Sequence, residues 1–335
     1  MSPASAQFAG GLRPRAIQML VFCTVLWALS FPAMKALVQT QQQLMPGVGS
    51  WFFTALSVTY RFGLAGLLLL PFAFRQVRTL RRRELEQALV MSLFGGTGIL
   101  FQMDGLAYTS ASTSAFLTQG YCVFIPVWVA LVSRRWPSLK IFLSVMLVVS
   151  GVAVLAEINF HSIKLGRGEL ETLVASLLFT GQILTLEHPR YATNRPLCLT
   201  VVMLLATAAV AAPLAWFTAP SAAAWWQAYA SPAAGGFLAI IVLFCTLAAF
   251  ILMNTWQRRV TATEAGLIYC AEPVFASVMA LFLPVVFSRW AGISYANENL
   301  TVRLLIGGGL ITLANVLLQS RWLEGKGPAA PKPEA

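Results

Sequence analysis

Ten apolar runs of 18 to 25 residues, separated by short polar stretches, constrain this chain more than any other feature. They fall at about 16–37, 51–74, 85–107, 110–132, 139–156, 170–187, 197–217, 234–256, 262–286 and 301–320. Wound as a helix, about 20 apolar residues match the roughly 30 Å apolar core of a bilayer. Lipid offers no hydrogen-bond partner to an open backbone, so such runs are helices. The pattern predicts an all-α membrane protein of ten transmembrane helices. Composition agrees, with 58% hydrophobic residues, 10% charged residues and a mean hydropathy of +0.73. A soluble domain does not carry that balance.

The charges orient the runs. A net charge of +11 could suggest nucleic acid, but the bases sit in short loops between apolar runs and form no single soluble face, so no nucleic-acid partner is expected. Seventeen of the 23 Lys and Arg residues, from Arg13 and Arg15 through Arg81, Arg195 and Arg258 to Lys332, fall on one side of the predicted membrane. By the positive-inside rule that side is cytoplasmic and holds both termini. Lys35 is expected to snorkel to the outer headgroups. Trp225, Trp226 and Tyr229 would form an aromatic belt at the outer interface. The first run resembles a signal peptide but lacks an A-x-A site and is followed by nine more, so it reads as an uncleaved helix. The five cysteines lie within apolar runs without a CxxC pair, and there are two histidines. Neither a disulfide framework, a metal site nor a cofactor is expected.

Within this plan, Val260 to Leu281 stands out. Thr261 and Glu264 have capping-box spacing, predicting a helix that begins there and runs through Leu281. Glu272 would then lie roughly 15 Å along it, near mid-membrane. Pro273 lacks the N–H that would bond the Tyr269 carbonyl, leaving an acceptor free at the same depth. Such groups must face protein or a watery cavity. The chain also repeats: Ser110-Ala111-Ser112 leading to Pro126-Val127-Trp128 is answered by Thr261-Ala262-Thr263 leading to Pro273-Val274-Phe275. Ser144 and Gly151 correspond to Gly308 and Asn315. Five runs per repeat is an odd number, so the halves are inverted, which places a site at the midplane between them. The organisation is a tail (1–15), a first repeat (16–156), an external linker (157–169), a second repeat (170–322) and a disordered tail (323–335).

Trp27 to Lys35 (WALSFPAMK), Arg61-Phe62, Tyr108 to Pro126 (YTSASTSAFLTQGYCVFIP) and Thr261 to Ala276 (TATEAGLIYCAEPVFA) resemble the EamA-type members of the drug/metabolite transporter superfamily. The resemblance extends from about residue 16 to 322 and implies a secondary carrier of the inner or plasma membrane, with many relatives exporting amino acids or other small metabolites. This chain departs from the family pattern at Ala28, where a Gly often stands, and at Ser133 to Pro137, where a Gly-Glu is usual. A lengthened loop from about Pro284 to Asn299 is a third departure, although Glu298-Asn299-Leu300-Thr301 keeps the family's ending.

Each polar residue within a run has two readings. Glu272 is the foremost candidate for proton or cation exchange with a moving substrate, against a structural acid bonded to a neighbouring helix. Arg61 could hold a substrate carboxylate, or pair structurally with carbonyls or with Asp104. Gln102 and Asp104, near the outer end of the third run, divide between cavity contact and vestibule wetting. Gln119 and Gln182 are mid-run amides that need partners. Trp27, Tyr121 and Tyr269 could wall a cavity or serve as packing. Pro126 and Pro273 mark expected helix breaks. Gly95, Gly96 and Gly98 form no phosphate loop and read as close helix contacts. Gly151 and Gly307 to Gly309 could pack within one chain or between two, leaving the oligomeric state open. The reading is a non-enzymatic carrier with a small-molecule substrate, lipid neighbours and proton coupling at Glu272. The rivals are a passive channel-like bundle and a membrane-embedded transferase.

Overall fold

The computed structural model describes residues 12–132, 134, 139–155, 166–260, 265, 268–269 and 271–319, and among them the chain is helical without strands. Helix α1 spans Leu12–Leu44, α2 Ser50–Val77, α3 Arg82–Gly105, α4 Ala111–Thr118, α5 Tyr121–Val132, α6 Leu139–Leu155, α7 Arg167–Glu187 and α8 Pro196–Thr218. Then come α9 (Pro232–Arg259), α10 (Glu272–Ala280), α11 (Leu283–Ala291) and α12 (Val302–Gln319). Five of these, α1, α2, α7, α8 and α9, are long and apolar enough to cross a membrane, and counting the bent pair α10–α11 as one span makes six. The expected tails and linker lie mostly outside the described residues, but residues 12–15 already belong to α1 and residues 167–169 to α7.

Local chemistry sets the boundaries. Pro196 and Pro232 occupy first turns, where a missing N–H costs nothing. Ser110 and Ser231 cap α4 and α9 by accepting from the amides of Thr113 and Ala234. The expected fourth span, 110–132, is interrupted: α4 stops at Thr118, Gln119 and Gly120 form a turn, and α5 starts at Tyr121. A Cβ on Gly120 would sit 2.9 Å from Ser176 Oγ and 3.2 Å from the Leu117 carbonyl, so a larger residue here would force these neighbours to shift.

The ninth span departs further from expectation. Instead of lying deep in a helix begun at Thr261, Glu272 is the first residue of α10, preceded by a turn at Ala271. Pro273 explains it, being best tolerated in a first turn; the Thr261–Glu264 capping pair is outside the described residues. The expected loop from Pro284 to Asn299 is also corrected, because α11 extends to Ala291. It bends from α10 by 53°. Pro284 cannot donate to the Ala280 carbonyl, which accepts instead from the Glu298 amide at 2.9 Å. The Glu298 carboxylate in turn accepts from the Ala111 amide at 2.8 Å, placing negative charge at the start of α4.

Helices α2, α3, α7 and α8 pack as one block, α1 runs against α9 and α10, and α6 pairs with α12. Gly151 meets Ile311 and the Gly307 carbonyl, so this glycine contact is made within the chain. Lys35 bonds the Thr109 carbonyl at 2.5 Å, in the turn between α3 and α4. Of the aromatic belt, Trp226 is exposed, whereas Trp225 and Tyr229 stack edge-on against Tyr60.

Where many of the bases gather, a buried ion pair ties the block together. Both Glu84 oxygens accept from Arg195, at 2.7 Å each, and the amides of Arg81 and Arg195 add 3.0 Å bonds. Arg195 also reaches the carbonyls of Gln76 and Thr79, joining the end of α2 to the starts of α3 and α8. Burial would push the Glu84 carboxyl up, but the Arg195 hydrogen bonds and the backbone amides outweigh it and hold it near 2. A carboxyl lowered in the fold contributes stability above its unfolded value of about 4.3. That contribution is therefore expected to fade as pH falls from about 4.5 towards 2. Glu84→Ala leaves the partly exposed Arg195 with only the Gln76 and Thr79 groups as acceptors and is expected to lower the unfolding midpoint in detergent.

Candidate functional site

A cavity of about 90 Å³ lies where α1, α2, α3, α7 and α9 surround the breaks in α4–α5 and before α10. α1 contributes Trp27 and Ser30, α2 Arg61, α3 Ile99 and Gln102, and the edges of the first break supply Thr118 and Tyr121. On the other side α7 presents Phe179, Gln182, Ile183 and Leu186, α9 presents Phe250 and Met253, and Tyr269 and Glu272 close the ring. Trp27 lies between Phe250 and Tyr269, with centroids 6.0 and 5.3 Å away, so part of the wall is a fixed aromatic cluster. Tyr269 is anchored by its hydroxyl on Gln257 Oε1 at 2.9 Å.

The polar groups are unequally committed. Gln119 Nε2 donates to Glu272 Oε2 at 3.1 Å, so the turn that interrupts the fourth span holds the first residue of α10. Gln102 donates to Thr118 Oγ1 at 2.9 Å. Arg61, only 2% exposed, donates to Thr246 Oγ1, to the Cys245 carbonyl at 3.1 Å and to Met34 Sδ at 3.0 Å. Its acceptors Thr246 and Cys245 lie in a π-wound stretch of α9, Ile241–Ala248. Such turns are frequent at functional sites because they break the regular ladder. The Gln182 amide has no hydrogen-bond partner among the described residues and lies over Gly95, where an added Cβ would come within 2.4 Å of its oxygen.

Seven residues singled out in the sequence thus meet at one cavity: Trp27, Arg61, Gln102, Tyr121, Gln182, Tyr269 and Glu272. Gln119 stands behind Glu272. Asp104 is elsewhere: fully buried, it pairs with Arg167, which also binds Glu171 at 2.8 Å and covers the Tyr108 ring. Neither vestibule wetting nor an Arg61–Asp104 pair describes it. Pro126 falls within α5, and the interruption comes earlier, at Gln119–Gly120, where glycine allows close helix approach. Ser30, Thr118, Phe179, Phe250 and Met253 also line the cavity but read in the sequence as ordinary span residues. Among the described residues no cluster of His, Cys, Asp or Glu could hold a metal.

Apolar helices around an internal cavity lined by a few polar groups are the architecture of a multi-pass membrane protein. Residues 14–156 match the EamA-like transporter family, and this part of the chain is an EamA-like domain. Over 302 residues the chain is 24% identical to an uncharacterized transporter of Archaeoglobus fulgidus, covering 90% of this chain and 85% of that protein. A protein of known crystal structure shares the fold with a TM-score of 0.59 at 17% identity, covering 91% of this chain and 96% of its own.

Because Gly95 seats the end of the flexible Gln182 side chain, Gly95→Ala is expected to swing that amide into the cavity and leave stability within about 1 kcal/mol of wild type, as thermal unfolding in detergent would show.

Proposed function

We propose that the chain is a secondary carrier of ten crossings in two inverted halves, both termini cytoplasmic, working by alternating access and exporting small metabolites such as amino acids. The observation that carries the reading is the junction of two interrupted helices at the cavity through Gln119 and Glu272. Inverted-repeat carriers place their sites at such breaks, where backbone and side-chain polar groups can face cargo without meeting lipid. Packing of α2 on α8, α4 on α10 and α6 on α12 supports an approximate two-fold, since these are the second and seventh, fourth and ninth, and fifth and tenth runs. Export and the amino-acid class rest on the family resemblance.

Glu272 is the proposed coupling group. It is a carboxyl in the cavity wall with Gln119 as its hydrogen-bond donor, able to take a proton from one side and release it to the other. Counterflow of a labelled amino-acid and metabolite panel in proteoliposomes, with and without a pH gradient, tests this. Wild type is expected to concentrate at least one compound in response to the gradient, and Glu272→Gln to retain exchange without that response. Unchanged gradient dependence in the variant would make Glu272 structural, and equilibrating flux indifferent to any gradient would indicate a passive pore.

A further inference from the structure

We propose that the cargo carries a single carboxylate that docks on Arg61, with an apolar or aromatic body against the remaining wall; this rests on the carrier reading above. A guanidinium has five N–H donors. Nε donates to Thr246 Oγ1, one N–H of Nη1 to Met34 Sδ and one of Nη2 to the Cys245 carbonyl. One N–H on each terminal nitrogen is left uncommitted, on a side chain that is 2% exposed and borders the cavity.

The π-wound stretch of α9 builds this arrangement. Thr246 gives its own hydroxyl proton to the Ile241 carbonyl, five residues back, at 2.9 Å. Its oxygen is thereby turned into an acceptor for Arg61, which clamps the guanidinium from one side. The clamp neutralises nothing. Among the described residues no carboxylate lies within 4 Å of Arg61, whereas Arg195 and Arg167 are each paired with a buried acid. A buried charge without a counter-ion is costly, and a bound oxyanion would supply the missing charge through two parallel hydrogen bonds.

The charge count selects the class of anion. Arg61 is the one fixed cation in the cavity wall, and Glu272 in the same wall opposes further negative charge. A dianionic phosphate is therefore disfavoured against a monoanion. Trp27, Phe179, Ile183, Phe250 and Met253 leave most of the wall apolar, which suits a carboxylate on a hydrophobic frame.

The test starts from every panel compound that wild-type proteoliposomes exchange. Each is competed with itself, with its carboxamide and with its decarboxylated analogue; for phenylalanine these are phenylalaninamide and phenethylamine, with 3-phenylpropionate as the acid lacking the amine. The expected result is that exchanged compounds bear a carboxylate and that the amide and the decarboxylated analogue compete at least tenfold more weakly. Thr246→Val, which removes an Arg61 acceptor, is expected to weaken competition by the acid several-fold and leave that by the amide unchanged. Arg61→Gln is expected to abolish the discrimination; should it fail to fold, the wild-type series decides alone. Equal competition by acid and amide, or exchange confined to compounds without a carboxylate, overturns this inference while leaving the carrier reading standing. No exchange of any compound overturns the carrier reading and this inference with it.

Discussion

The Gln119–Glu272 hydrogen bond depends on two helices being interrupted at matching places, and much of the site depends on it in turn. An uninterrupted fourth helix would carry Gln119 in a regular turn, and an uninterrupted ninth would bury Glu272 among its own backbone bonds. Gly120 permits the first interruption through its close approach to Ser176, and Pro273 favours the second. Both interruptions leave backbone polar groups that lipid could not satisfy, so they are tolerated only inside the bundle. The cavity is where that requirement is met, bordered by Thr118 and Tyr121 from one break and by Tyr269 and Glu272 from the other.

Around this centre the helices differ in how they are tied to one another. The block of α2, α3, α7 and α8 is fastened at one end by Glu84–Arg195 and at the other by Asp104–Arg167–Glu171, with glycines of α3 and α7 bringing their backbones close. Each joins a buried acid to a partly exposed arginine. Among the described residues the short helices α4, α5, α10 and α11 make no ion pair to the block, and α4 meets it through the neutral bonds Gln102–Thr118 and Ser114–Thr172. A carrier needs a rigid wall and segments that can move against it, and Arg61 and Gln182 belong to the wall while Glu272 belongs to the segments.

Hydropathy and polar exceptions within it made a good deal of this legible. Trp27, Arg61, Gln182, Tyr269 and Glu272 were conspicuous because polar or aromatic groups deep in apolar runs need a reason, and the fold gathers them at one cavity. Geometry that depends on distant partners was not legible. Asp104 pairs with Arg167 across 63 positions, while Arg61 finds its acceptors 184 and 185 positions away in a π-wound stretch whose sequence, IVLFCTLA, looks like any apolar helix. Ser30, Phe179 and Met253 line the cavity only because of how the helices turn. The reading of Pro284 to Asn299 as loop failed for a related reason: it rested on the family pattern, yet Pro284 merely redirects the helix into α11.

The central claim is that the cavity serves both sides of the membrane in turn. Ser30 faces it from α1 and is 5% exposed, so the introduced thiol of Ser30→Cys reports access to the cavity itself. Oriented vesicles would be labelled with a membrane-impermeant thiol reagent from either face and mapped by mass spectrometry, so that the native cysteines are followed separately. The account predicts modification from both faces, slowed by an exchanged cargo. Modification from one face alone under every condition, with cargo present or absent, would contradict it.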